Sequence, residues 1–355
     1  MARNGYQYRS LFWPVVLIGV GIMWLLGNLG VLPANGLWIL SRFWPLLLVW
    51  IGLDILFGHR SPVLGAGLGV LAVVVAVLIV VGGPTWGWGG AFAGGELRTE
   101  RFTEPAGGVE AAEVRLELSH SPVVLTAGDS SMLVDATIRH RGTVDFSVSG
   151  GSQKQVALSY RGSGGIWLGG WGGAAGDEDW EISLGRGIPM DLILDLSSGR
   201  TQADLNGLRL QALSVKASSG SVEMALPASG AGSYSVSWRA SSGSSRVEVA
   251  SGAAVDMEVD MSSGSYAVHC GQDVDARIRL RGSSGGFTAD VPEGAAVQLD
   301  VRDSSSGNVR VPSGMVQVER GRDDEGVWET PGFGAAQHKI YIIVERMSSG
   351  DVSIT

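Results

Sequence analysis

The tripeptide Ser-Ser-Gly begins at Ser197, Ser218, Ser241, Ser262, Ser283, Ser305 and Ser348, in steps of 21, 23, 21, 21, 22 and 43 residues. A marker recurring at this interval means that the chain builds one small unit over and over, each too small to bury its own apolar face. The unit is made of strands. At the second, fourth and sixth positions after the glycines stand Val222, Met224 and Leu226, then Tyr266, Val268 and Cys270, then Phe287, Ala289 and Val291, with shorter versions at Val309 and Val311 and at Val352 and Ile354. Before the markers a second alternating run appears: Leu192, Leu194 and Leu196, or Tyr234, Val236, Trp238 and Ala240, or Val255, Met257, Val259 and Met261. Period-two alternation is the signature of a half-buried strand, so each turn holds at least two strands. Turn formers separate them, as at Pro292-Glu293-Gly294 and Pro312-Ser313-Gly314. Stacking such turns at the ~4.8 Å strand spacing buries the apolar columns in a β-solenoid. The 43-residue step predicts one turn that keeps its length but loses its marker near Gly326.

The same grammar occurs earlier. Val114, Leu116 and Leu118 precede Ser119-His120-Ser121, and Val123 and Leu125 follow, which predicts the first rung. Residues of about 130–190 read as an insert, with strand-like runs at Leu133–Ile138, Val144–Val148 and Gln155–Tyr160 and a Gly/Trp-rich excursion from Gly162 to Trp180. The solenoid domain is thus expected over 112–355, and 91–111 reads as a Gly-rich linker.

Residues 1–90 differ in kind, with four Arg, no Lys and Asp54 as the one acid. Three apolar stretches, about 11–32, 37–57 and 63–82, each approach the ~20 residues a helix needs to cross ~30 Å of hydrocarbon. The sequence therefore predicts a multi-pass α-helical membrane domain of three spans. Arg3, Arg9 and Arg60 place the N-terminus on the cytoplasmic side, and an odd number of spans puts the β domain outside the cell membrane. Trp13, Trp38, Trp44, Trp86 and Trp88 fall near span ends, where indoles favour the headgroup region. Gly19 and Gly21 offer surfaces for close helix contact, and Asp54, an acid inside a span, is a functional candidate by default, although its place one turn from the cytoplasmic end and near Arg60 favours snorkelling with ion pairing over proton transfer.

Beyond residue 90 the chain carries 22 Lys and Arg against 34 Asp and Glu. That acidic balance argues against nucleic acid as a partner. One cysteine excludes an internal disulfide framework and a Cys-based zinc site. Gly282-Ser283-Ser284-Gly285-Gly286 fits the Gly-x-Ser-x-Gly nucleophile elbow, but no helix follows it, so the match reads as part of the repeat. The histidines 59, 120, 140, 269 and 338 show no metal-site spacing, His269 falls at an outward position, and Cys270 falls on the inward column. The acidic runs 177–179 and 323–325 lack the spacing of a calcium loop. No metal, cofactor or catalytic group is expected, and the chain reads as a non-enzyme. A polysaccharide-lyase reading would require carboxylates and basic groups clustered on adjacent rungs. Trp167, Trp171 and Trp180 are candidate contacts for a glycan, the bilayer or a protein, or else cap the solenoid end.

Two segments resemble a known bacterial arrangement. Trp13-Pro14-x-x-Leu17-x-x-x-Gly21 and Trp44-Pro45-x-x-Leu48-x-x-x-Gly52, with Asn28-Leu29-Gly30, resemble the LiaI–LiaF-type transmembrane region. Trp180-Glu-Ile-Ser-Leu184 through Leu205-Asn-Gly-Leu-Arg-Leu210 is similar to the toastrack, or adhesin-type, β-solenoid. The resemblance implies a membrane-anchored accessory that senses or relays envelope stress, its glycine-rich spans engaging a membrane sensor kinase or other membrane protein. A cell-surface, adhesin-like module for a glycan or envelope component is the alternative. Substitutions at Gly19, Gly21 or Asp54 would abolish the first function and leave the second untouched.

Overall fold

The computed structural model describes residues 17–18, 21, 70–71, 73–75, 97–118, 122–161, 178–228, 232–305, 307–322 and 325–355. The described residues among the first ninety are helical. Among the described residues no helix is long and apolar enough to cross a membrane. The expected fold class, a three-span α-helical membrane domain joined to a solenoid, is therefore corrected: the architecture described is all-β, relieved beyond residue 96 by a single 3-10 turn at Phe333–Ala335. The remainder of the stretches 11–32, 37–57 and 63–82 lies outside the described residues.

One compact unit comprises Leu97–Arg161 and Ala175–Thr355. Its first strand, β1 (Arg98–Pro105), falls inside the stretch read as a linker. There follow β2 (Ala111–Leu118), β3 (Val123–Ala127), β4 (Met132–His140), β5 (Thr143–Gly150), β6 (Gln153–Arg161) and β7 (Asp179–Leu184). Five regular coils come next: β8 (Pro189–Leu196) with β9 (Arg200–Asp204), β10 (Arg209–Ala217) with β11 (Ser221–Leu226), β12 (Tyr234–Ala240) with β13 (Ser244–Val249), β14 (Ala254–Met261) with β15 (Ser265–Cys270), and β16 (Asp275–Gly282) with β17 (Gly286–Asp290). The chain ends with β18 (Val297–Val301), β19 (Val309–Arg310), β20 (Val316–Arg320), β21 (Gly326–Glu329), β22 (Ile340–Met347) and β23 (Asp351–Ile354).

These strands form two sheets facing each other across one core. The first runs β1-β4-β7-β3-β9-β11-β13-β15-β17-β23-β19, and the second β20-β21-β18-β22-β16-β14-β12-β10-β8-β2-β6-β5. Each regular coil gives one strand to each sheet, and successive coils pair in parallel. The alternation predicts this: in β14 the pattern of half-exposed and buried residues buries Val255, Met257, Val259 and Met261. Trp238 and Tyr266 meet edge to face at 5.4 Å between centroids, and Tyr266 stacks on Phe287 at 6.0 Å. Aromatic contacts of this geometry add to the area buried.

Val114, Leu116, Leu118, Val123 and Leu125 are buried in β2 and β3, the first rung foreseen in the sequence. The insert after them supplies β4 to β7, which extend both sheets beyond that rung, in part by antiparallel pairing. At the other end the 43-residue step has a different origin from a lost marker. The chain lays down β18 and β19, makes the antiparallel β20–β21 hairpin, and returns to insert β22 between β16 and β18 and β23 between β17 and β19. Gly326 is no turn marker: it lies in β21, paired with Val301 and Arg320. In space the marker glycines follow the order 285, 350, 307.

Candidate functional site

The Ser-Ser-Gly turns form the most ordered feature of the surface. The glycines take φ of about +101° to +106° at 199, 220, 243 and 264, a region that side chains avoid. A Cβ on Gly243 would also stand 2.2 Å from the carbonyl oxygen of Gly220, and the same contact recurs from Gly264 to Gly243 and from Gly350 to Gly285. Backbones therefore touch directly along this edge, which is why each turn carries glycine. In four markers the second serine has a defined task. Ser219, Ser242, Ser263 and Ser284 donate their Oγ protons to the carbonyls of Ser197, Ser218, Ser241 and Ser262 at 2.9–3.2 Å. Their backbone N–H groups donate to the same carbonyls. Ser284, the central serine of the Gly-x-Ser-x-Gly match, is thus a ladder donor sitting between two strands.

Beside this edge, on the outer face of the second sheet, charged side chains stand in register. Lys216 pairs with Arg239, Arg239 with Asp260, Asp260 with Arg281, and Arg281 with Arg346 on adjacent strands. Arg281 reaches Glu258 at 2.5 Å, Glu345 at 2.7 Å and Asp260 at 3.7 Å, and Arg279 reaches Asp256 at 2.8 Å. The hydrogen bonds Arg281 donates, first to Glu258 and then to Glu345, push its guanidinium further up. Carboxylates and guanidiniums thus do cluster on adjacent rungs, as a polysaccharide-lyase reading requires, but they are engaged with one another in ion pairs. Together with the turn serines they enclose an open groove of about 700 Å³.

The candidates singled out from the sequence scatter. Trp180 lies on β7, 1% exposed, edge-on to Tyr160 at 5.6 Å. Its indole Nε1 has no hydrogen-bond partner in the structure, and the ring belongs to the core at the N-terminal end of the solenoid. Burial, and then the Glu178 carboxylate, push the neighbouring Tyr160 hydroxyl up. Trp167, Trp171, Gly19 and Asp54 lie outside the described residues. Gly21 is helical, with nothing within 4 Å of the place a Cβ would take. His269 points outward to Asp290 at 2.9 Å and His338 to Asp275 at 2.9 Å, while His140 is buried and bonds the Gly142 carbonyl through Nδ1 at 3.0 Å. No metal-binding group of His, Cys, Asp and Glu occurs among the described residues. Cys270 is buried on the inward column, and burial, helped by Asp290, pushes its thiol up to about 12. The groove itself was missed in the sequence, although the outward column Lys216, Arg239, Asp260, Arg281 could have been aligned by counting back from each marker.

The geometry defines a class of protein: a β-solenoid of stacked two-strand coils with capped ends. The family model described as Toastrack DUF4097 matches residues 178–355, half of the chain, and the chain belongs to the toastrack family. The N-terminal domain of toast_rack, DUF2154, matches residues 93–250, and a LiaI-LiaF-like transmembrane region matches residues 11–56. That last match associates the N-terminal part with the membrane. Among solved structures, a "putative cell adhesion protein" from Clostridium sporogenes ATCC 15579 aligns at 16% identity and a TM-score of 0.38, covering 73% of this chain and 99% of the other. A "putative adhesin" from Bacteroides fragilis NCTC 9343 aligns at 10% identity and a TM-score of 0.33, covering 73% of this chain and 97% of its own. No curated protein matches the chain.

Proposed function

We propose that this protein is a non-catalytic accessory of bacterial envelope-stress signalling: the N-terminal region engages a membrane partner such as a sensor kinase, and the toastrack acts as sensor or scaffold on the outer side of the membrane. The observation that carries this reading is the joining, on one chain, of a LiaI-LiaF-like transmembrane region at 11–56 to a toastrack. Supporting the membrane role, the described helical residues Leu17, Ile18, Val70, Leu71 and Val74 are exposed apolar side chains, the surface that lipid or a packed partner helix covers. Arg3 and Arg9 before the first apolar stretch support a cytoplasmic N-terminus. The engagement of Ser284 in the turn ladder supports a structural role for the nucleophile-like motif.

Two measurements test the reading. In cells challenged with a cell-wall inhibitor, deletion of the gene is expected to alter the basal or induced output of an envelope-stress reporter. Gly19→Leu with Gly21→Leu is expected to reproduce the deletion while the toastrack stays folded. An unchanged response in both strains refutes the signalling role. Protease shaving of intact against lysed cells, with a tag at Thr355, reads the side: cleavage in intact cells is expected, and protection would place the toastrack with a cytosolic partner.

A further inference from the structure

In the four markers from Ser218 to Ser283 the fold accounts for two of the three residues. Glycine is required by positive φ and by backbone contact, and the second serine by its bond to the coil before. The first serine contributes its carbonyl and N–H to the ladder, which any residue could do. Its hydroxyl is what remains. Ser241, Ser262, Ser283 and Ser348 line the 700 Å³ groove, whereas the second serines do not. Their hydroxyls follow one another at the ~4.8 Å strand spacing.

The opposite wall is the column Lys216, Arg239, Asp260, Arg281 and Glu345 with Arg346. Glu345 and Arg346 both reach this rim because the pairing register shifts beside Arg281. Four cations and two acids line the groove, and Asp195, Glu258 and Asp303 stand against Lys216, Arg281 and Arg346 from beside it. The four are held unequally. Arg281 is clamped by three carboxylates, but Arg239 meets Asp260 only at 3.9 Å and Arg346 meets Asp303 only at 3.5 Å, with side chains 70% and 72% exposed. Those two guanidiniums stand three strands apart, roughly 14 Å, with a floor of Met261 and Gly282 between them. A Cβ on Gly282 would lie 2.5 Å from the Met347 sulfur, so the glycine leaves room for that buried side chain.

We infer that this groove binds an extended anionic polymer of hydroxylated units, its carboxylate or phosphate groups taken by Arg239 and Arg346 and its hydroxyls by the first-serine row. A guanidinium presents paired donors to either anion. A repeating ligand suits a repeating wall, and the excess of acid elsewhere on the domain disfavours polyanions that cannot thread the column. As the stimulus of a sensor, this ligand rests on the outward placement of the toastrack proposed above. Binding to purified protein does not depend on that placement, so the two stand or fall by separate results.

The test uses the full chain in detergent micelles and fluorescently labelled oligogalacturonate, poly(glycerol phosphate) and neutral dextran, read by polarisation. At least one of the two anionic polymers binds, and the comparison between them identifies carboxylate or phosphate as the group recognised. Arg239→Gln with Arg346→Gln weakens that binding by on the order of tenfold, the scale of one or two charge-assisted hydrogen bonds. The triple change S241A/S262A/S283A weakens it several-fold, while S242A/S263A/S284A leaves the affinity intact at temperatures where its circular dichroism remains native. Absence of binding by both anionic polymers, equal binding of dextran, undiminished binding by the double arginine variant, or equal losses in the two serine triples would each overturn the inference.

Discussion

The five regular coils from β8 to β17 and the two ends of the solenoid are built from the same residue types by different rules. In the coils each strand pairs with the strand one turn earlier, always in parallel, and the columns run in register from β10 to β17, with one shift between β8 and β10 at Leu210–Ala212. At the ends the pairing turns antiparallel, with β4, β1 and β5 at one end and the β20–β21 hairpin at the other, and the last coil is threaded between two earlier ones. A solenoid coil left uncovered presents an open core and two unpaired strand edges. The difference teaches that repetition makes the interior and that departures from it terminate the stack. Two consequences follow for perturbation: changes in the coils meet backbone on both sides, whereas changes at the ends find room.

The sharpest way to break the comparison is at glycine. Gly243→Ala forces a Cβ to within 2.2 Å of the Gly220 carbonyl oxygen at a φ of +101°. The expected loss is about 3–5 kcal/mol, from strain and displaced pairing together. Gly187, between β7 and β8, also has positive φ, +88°, but nothing lies within 4 Å of its would-be Cβ. Its change to Ala should cost only the conformational term, about 1–2 kcal/mol. Urea melts of the two variants decide: equal losses would mean that contact between turns does not hold the stack. Next in size is the core. Trp238 on β12 is wholly buried, its strand flanked by β10 and β14, and touches Tyr266, so Trp238→Ala is expected to cost about 3–5 kcal/mol. Val148 on β5 is 37% exposed, and its change to Ala should stay within ~0.5 kcal/mol.

How much of this was legible in the sequence follows the same division. The coils could be read because a strand's inward face is fixed by alternation alone, and Val222, Tyr234, Met257 and Phe287 all fall where the pattern put them. The expected runs near 133–138, 144–148 and 155–160 are strands for the same reason. Pairing at the ends could not be read. Nothing local to Ile340–Met347 states that it joins β16 and β18, because that choice is made by loop length and by which apolar edge remains uncovered. Likewise Arg98–Pro105 looks linker-like: its alternation is weak, since it is an outermost strand with one neighbour, β4. Of the site residues, Trp180 stands in the core at the solenoid's end, on a strand that begins at Asp179, where the Gly-rich context before it suggested a loop.

A smaller effect sharpens the contrast without any substitution. Cys270 closes the inward column of β15, and burial raises its thiol to about 12, with Asp290 adding to the effect. The thiolate is the reactive form, so at pH 8 the folded protein should label with iodoacetamide far more slowly than a free thiol. Labelling in urea is expected to track the global transition seen by circular dichroism, as befits a regular coil. If Cys270 labels in urea well before that transition, the β14–β17 coils open locally and the interior is not the stable part.

The smallest expected effect concerns the outermost strand at the N-terminal end. Arg101 on β1 holds Asp135 on β4 through two bonds of 2.9 and 2.7 Å. The bonds from Arg101 keep the Asp135 carboxyl below its ordinary value, partly offset by desolvation. A carboxyl lowered in the folded state contributes stability that is complete above its unfolded value, near 3.9, and is lost as pH falls through the lower folded one. Both side chains are open to solvent, so screening keeps the contribution slight and confines it to attachment of β1. Amide resonances of β1 should therefore hold steady from neutral pH down to about 4 and shift below that, while those of β12 and β14 do not follow. Arg101→Ala is expected to weaken β1 attachment at neutral pH and to flatten its acid response. A variant that keeps the wild-type acid response would assign it to another carboxylate near β1, such as Glu104 beside Lys154, and would show that the end of the stack is secured by its second ion pair.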